Sequence, residues 1–197
     1  MEKIRKLLQQ KVAFSEKELA FLESKWSYER SVIKNEFLSR EGETERYLYY
    51  VIEGVLRIYY LHDGEEVCVG FSYDDTLICS YPSFIDNQPA EYYMQALTDL
   101  KLLGINREDF YSFLDSSRNM EKCWRMITEE ALLGKIKRET EMLTFTPEER
   151  YTRLWNRSPH LFQLVPQKYI ASYLGMQPET LSRVKRKHHQ KRKSRDN

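Results

Sequence analysis

The stretch from Gln167 to Lys185, QKYIASYLGMQPETLSRVK, constrains the chain more than any other. Ile170 and Leu174 fall on one helical face, and Leu181 and Val184 share another. Leu174-Gly175-Met176 lies between the two pairs. Glycine takes the left-handed conformation that ends a helix and turns the chain sharply. Ala171 is small enough for a second helix to cross closely. Two short helices around such a turn make a helix-turn-helix, whose second helix enters the major groove when the motif binds DNA. Pro178 suits the first turn of that second helix, where its missing N–H would be unpaired anyway. Glu179, Thr180 and Arg183 project from its outer face, flanked by Ser182 and Lys185. Arg bonds guanine bidentately, Glu accepts from cytosine, and Ser, Thr and Lys hold phosphates. The candidate DNA-contacting set is Gln167, Gln177, Pro178, Glu179, Thr180, Ser182, Arg183, Lys185 and Arg186. The spacing alone equally fits a helical hairpin in a core with a solvated polar face.

Charge is unevenly distributed. Arg183 to Asn197 holds eight Lys or Arg against one Asp, a balance of +7, so the remaining residues carry −6 of the net +1. A basic end beside a helix-turn-helix fits phosphate contacts and salt-dependent affinity. A solubilising disordered tail over 188–197 fits it too. The 197 residues suffice for one large or two small domains. No apolar run approaches a membrane span and no signal peptide is visible, so a cytoplasmic protein with no membrane partner is expected. Cys68, Cys79 and Cys123 are far apart and odd in number, and the four histidines show no metal spacing. His188 and His189 read as solvated. No cofactor and no metal are expected. With no Ser-His-Asp set or phosphate loop, an enzyme is not expected either.

Along the chain, Glu2 to Gln10 reads as a short helix. Ser15-Glu16-Lys17-Glu18 has the capping-box spacing that starts another. From about Tyr28 to Ile105 the pattern is β. Tyr47 to Ile52 is rich in strand formers. Glu53-Gly54 makes a tight turn, and Asp63-Gly64 is a hairpin signal of type I′. Val67, Val69 and Phe71 alternate, as do Tyr92, Met94 and Ala96, and Lys101, Leu103 and Ile105. Closely spaced short strands predict a jelly roll or small barrel. A long helix follows from about Asn119 to Leu143. One of its stripes is Met120, Trp124, Ile127 and Ala131; a second is Met126, Leu133, Ile136, Thr140 and Leu143. Two stripes fit either one broad core face in a monomer, or one side on the barrel and one on a partner helix. Thr146-Pro147-Glu148-Glu149 is a clear helix start.

Pro178-Glu179-Thr180-Leu181-Ser182-Arg183 resembles the DNA-reading motif of the Crp/Fnr superfamily of bacterial transcription regulators, whose commonest form is S/T-R-E-T-V-S/G-R. Glu179, Thr180 and Arg183 match it. Pro178 replaces the first arginine and Gln177 the capping Ser or Thr, so a different target site is implied. Tyr47 to Phe71 resembles the front half of that superfamily's cyclic-nucleotide-binding domain. The resemblance implies an α+β fold: a jelly-roll sensor over 1–117, a dimerisation helix over 118–143 using Trp124, Ile127, Ala131, Leu133 and Ile136, and a winged-helix-like helix-turn-helix domain over 144–187. The polar residues from Lys187 onward show no strand pattern, so the wing looks truncated or replaced by the tail. The implied partners are double-stranded DNA, a second copy of the chain and RNA polymerase. The alternative is a ligand-binding or scaffold barrel whose helical domain docks a protein.

The family's phosphate cassette has Gly-Glu-Leu and, about ten residues on, Arg-Ser or Arg-Thr. Here Cys79-Ser80 and Ala90-Glu91 occupy those places. A buried phosphate without its cation costs several kcal/mol, so cyclic AMP is not expected to bind in the usual way. The pocket then either takes an unidentified effector through Ser80, Tyr81, Glu91 and Tyr92, or is filled by side chains. The abundance of Tyr and Phe favours filling.

Overall fold

The computed structural model describes residues 1–193. The chain divides into two compact units, one made of Met1–Ile58 with Phe71–Leu132 and the other of Tyr59–Gly70 with Leu133 onward.

The first unit opens with α1 (Glu2–Gln9) and α2 (Glu16–Lys25). The capping box at Ser15 is formed: Ser15 Oγ accepts the Glu18 N–H and Glu18 reaches back to the Ser15 N–H at 2.7 Å. The strands are β1 (Tyr28–Val32), β2 (Phe37–Ser39), β3 (Tyr47–Glu53), β4 (Leu56–His62), β5 (Glu65–Ser72), β6 (Leu77–Ile78), β7 (Tyr93–Ala96) and β8 (Leu100–Asn106). They make two four-stranded antiparallel sheets, ordered β1-β8-β3-β6 and β2-β7-β4-β5. The β3–β4 connection turns at Gly54 (φ +105°), where a Cβ would sit 2.3 Å from the Asp99 carbonyl oxygen. At the β4–β5 hairpin, Asp63 (φ +50°) and Gly64 (φ +82°) both have positive φ, as a type I′ turn demands.

The β3–β8 register sets Leu48 against Ile105 and Tyr50 against Leu103. These four lie in one apolar core with Ile4, Leu8, Phe84, Phe110 and Met120. Phe84 belongs to α3 (Tyr81–Asp86), a short helix inside the stretch expected to be all β. Pro82 in its first turn and left-handed Asn87 (φ +56°) at its end are local signals for it. In β5 the buried residues are Cys68 and Ser72, while Val67 is exposed. The alternation is real, but the apolar set Val67, Val69 and Phe71 is not the buried one. α4 (Arg107–Ser116) is capped by Asn106, whose side chain accepts the Asp109 N–H at 2.8 Å. Lys25 bonds Asp109 at 2.5 Å and ties α2 to α4.

α5 (Arg118–Thr144) is a continuous helix of 27 residues. The second unit holds its later part with α6 (Pro147–Arg157), α7 (Leu161–Leu164), α8 (Gln167–Tyr173) and α9 (Pro178–Lys193). The expected capping box at Thr146 starts α6, with Glu149 closing it at 2.9 Å. Buried Glu141 on α5 faces Arg153 at 3.5 Å and Arg157 at 3.9 Å on α6. The boundary expected after Lys187 falls inside α9, which stays helical to Lys193; Ser194–Asn197 lie outside the described residues. His188 is half-buried rather than fully solvated. It continues the Leu181–Val184 face and packs 5.2 Å from the Tyr151 ring and 5.6 Å from Trp155. No strand follows β8 among the described residues.

Candidate functional site

The helix-turn-helix is built by backbone geometry first. α8 ends at Tyr173 with Leu174 as its C-cap, and Gly175 is left-handed (φ +61°). The Met176 N–H donates to Ala171 O and the Gly175 N–H to Ser172 O, both at 3.0 Å. That double bond pattern is a Schellman ending, which satisfies the last carbonyls of α8 and redirects the chain. Gln177 then supplies the first acceptor of α9, taking the Leu181 N–H at 3.1 Å. Ile170, Ala171, Leu174, Leu181 and Val184 are all buried. They lock the helix pair from inside.

The opposite face of α9 is open. Gln177, Pro178, Glu179, Ser182, Arg183 and Arg186 are exposed, and Thr180 and Lys185 are half-buried. Arg183 Nη2 donates to Thr180 Oγ1 at 3.2 Å, which holds the guanidinium over the first turn. Gln167 is exposed at the start of α8. Lys187 is paired with Glu148 of α6 at 2.6 Å, which braces α9. Ser172 of α8 has a further partner: its Oγ accepts the Cys68 N–H at 2.9 Å and donates to Glu66 O at 3.3 Å, on the β4–β5 hairpin. Arg138 of α5 bonds Tyr173 O at 3.0 Å and lies over the Tyr173 ring. Neither contact had a sequence signal, because both join residues far apart in the chain.

The cassette region is closed by its own groups. Ser80, at the start of α3, is fully buried and its Oγ has no hydrogen-bond partner. Tyr92 is buried, and its hydroxyl accepts the Tyr81 N–H at 3.0 Å. Of the four expected effector residues, Ser80 and Tyr92 are thus buried, and Tyr81 and Glu91 are exposed. Ala90, in the place of the cassette arginine, is buried; its N–H bonds Glu43 O and its carbonyl accepts the Gly42 N–H, both at 2.8 Å. That pairing draws the 42–45 segment against the cassette. Glu45 lies there, buried, with its N–H donating to Ser83 Oγ at 2.9 Å. Burial pushes the Glu45 carboxyl above the usual carboxylate range, against the pull of the Tyr47, Arg46 and Ser80 N–H groups and of Arg30. Sequence reasoning missed Glu45, which sits in a polar stretch with no pattern to mark it as buried.

The expected dimer residues divide along α5. Trp124 and Ile127 pack partly buried against the first unit's own apolar core. Ala131 is exposed. Leu133 and Ile136 are 66% and 50% exposed, and Leu132 and Leu143 join them at 60% and 78%. Large aliphatic groups left open in a row along one helix are unusual for a monomer.

Cys68, Cys79 and Cys123 are free and buried. Burial pushes the Cys79 and Cys123 thiols up, so they pack as small protonated groups. Among the described residues, no group of three or more His, Cys, Asp or Glu is placed to hold a metal ion. No helix of the described residues is long and apolar enough to cross a membrane.

The family model of the cyclic nucleotide-binding domain matches residues 29–117. Comparison with curated proteins by sequence gives no match. Solved structures do resemble the chain across most of its length. FixK2 from Bradyrhizobium japonicum is 21% identical with a TM-score of 0.71, covering 84% of this chain and 85% of that one. The global regulator CLP of Xanthomonas campestris, described as responsive to c-di-GMP, is 18% identical with a TM-score of 0.64, covering 90% and 93%. The catabolite activator protein of Thermus thermophilus is 19% identical with a TM-score of 0.56, covering 91% and 86%. Residues 29–117 are thus a cyclic-nucleotide-binding-type domain. With the helix pair that follows, the chain has the fold of these solved structures, an α+β arrangement of the kind expected from the barrel hairpins and the helix pair.

Proposed function

We propose that the chain is a sequence-specific DNA-binding transcription regulator of Crp/Fnr type, acting as a homodimer on a two-fold symmetric site. The observation that carries this reading is the α8–Gly175–α9 geometry. Its buried face is apolar, and its open face presents Glu179, Ser182 and Arg183. Such a face reads base edges through Glu179 and Arg183 and holds phosphates through Ser182, Thr180, Lys185 and Arg186. The exposed Leu132, Leu133, Ile136 and Leu143 provide the surface for a second copy. A two-fold dimer sets two reading helices about one DNA turn apart. RNA polymerase is the further partner such a regulator engages.

Cyclic AMP is not its effector. Ala90 supplies no cation for a phosphate, and the neighbouring Glu91 adds negative charge. The test is selection from a random duplex pool with purified full-length protein and no added ligand. A two-fold symmetric enriched motif is the expected outcome. Salt-sensitive binding to all sequences alike, with no enriched motif, would remove the sequence-reading role.

A further inference from the structure

A recess of about 190 Å³ opens in the barrel unit beside the cassette, and it is formed by other residues than those of the cassette. Tyr28, Arg30, Ser39, Glu45, Tyr47 and Tyr49 give it three chemically distinct walls. Since a water in the liquid occupies about 30 Å³, the space suits a compact organic molecule.

One wall is aromatic. The Tyr28 and Tyr47 rings stack with centroids 4.3 Å apart. Gly104, which pairs with both Tyr28 and Tyr49, leaves room for these rings; a Cβ there would lie 3.2 Å from each of Tyr28 and Tyr49. The second wall is cationic. Arg30 is half-buried, and its Nη1 donates to the Tyr49 hydroxyl at 2.9 Å. The third wall accepts hydrogen bonds. Ser39 and Glu45 are only 4% and 6% exposed, yet Ser39 Oγ and Glu45 Oε2 have no hydrogen-bond partner. Buried polar atoms in native proteins are almost always paired, so two orphans on one small recess call for a missing donor. Glu45 is held ready for it. Its other oxygen accepts the Arg46 and Tyr47 N–H groups at 3.0 and 3.1 Å, and its backbone is anchored to Ser83. Burial raises the affinity of its carboxyl for protons, against the pull of the Tyr47, Arg46 and Ser80 N–H groups and of Arg30.

We propose that this recess binds a small zwitterion of the α-amino-acid class, with its carboxylate on Arg30, its ammonium donating to Glu45 Oε2 and Ser39 Oγ, and its side chain against Tyr28 and Tyr47. A guanidinium is the fitting partner for a carboxylate. An ammonium supplies the donors that Ser39 and Glu45 lack. Both groups must sit on one compact skeleton to satisfy walls of a single recess. The proposal does not depend on DNA being read.

The test is calorimetry on the full chain with each of the proteinogenic L-α-amino acids in turn at millimolar concentration. Propionate and ethylamine serve as probes lacking the ammonium and the carboxylate. A saturable heat for at least one amino acid is expected, with neither control binding comparably. Arg30→Ala and Glu45→Gln should each weaken that binding roughly tenfold or more. Ser39→Ala, which removes only a hydroxyl, covers the case in which the larger changes disturb folding, as judged by circular dichroism. Three results would overturn the proposal: no saturable heat with any amino acid, equal binding of either control, or unchanged binding in natively folded variants.

Discussion

At the scale of single residues, three side chains carry distinct consequences. Gly175 is left-handed, and a Cβ there would also meet the Met142 methyl at 2.5 Å. Gly175→Ala should therefore cost about 1–2 kcal/mol in the unfolding of the helical unit, from the left-handed strain alone. Urea unfolding measures it, and a midpoint equal to the parent's would mean that the turn relaxes freely. Arg183→Ala should weaken specific DNA binding by about 1–3 kcal/mol and relax one base position. Uniform loss across all sequences would assign Arg183 to a phosphate instead. Glu18 accepts from the Ser117 hydroxyl above all, then from Ser15 and Asn119, which holds its carboxyl down at about 2 from an ordinary 4.5. A lowered folded-state value means stability that is present above the ordinary value and is lost as pH falls toward about 2. Glu18→Gln should accordingly flatten the acid limb of the stability–pH curve in that window. An acid limb of unchanged slope would refute the role.

At the scale of elements, α5 is the informative one. Its early part packs on the barrel through Met120, Trp124 and Ile127, and its later part leaves Leu132, Leu133, Ile136 and Leu143 open. If that open row is a dimer seam, Leu133→Glu with Ile136→Glu should convert the protein to monomer in light scattering while the far-ultraviolet spectrum stays native. A parent that is already monomeric at tens of micromolar would end the dimer reading. The helix ends show how far local sequence reaches. The capping boxes at Ser15 and Thr146, the type I′ turn at Asp63-Gly64 and the glycine turns at 54 and 175 were legible, because each rests on contacts within a few residues. The buried phase of β5 was not. Alternation announces two faces, and whether Val67 or Cys68 lies inward depends on what packs against the strand.

At the scale of the whole molecule, a cyclic-nucleotide-binding-type domain precedes a helix-turn-helix pair, and Ala90 stands where the resemblance leads one to expect the cassette arginine. Calorimetry with cyclic AMP at micromolar concentration should show no saturable heat; a saturable signal would overturn the reading of Ala90 and Glu91. The sequence by itself determined the succession of strands and then helices, the capping boxes, the tight turns and the helix pair. These are short-range properties, set by backbone preference and by the identity of single residues. Only the tertiary structure decided that Glu45 is buried beside Arg30 and Ser39, that Trp124 and Ile127 serve the barrel's own core, and that His188 packs on Tyr151. Burial of a given side chain is a property of what distant segments bring to it, and a polar run such as Gly42-Glu43-Thr44-Glu45 carries no periodicity from which that could be read.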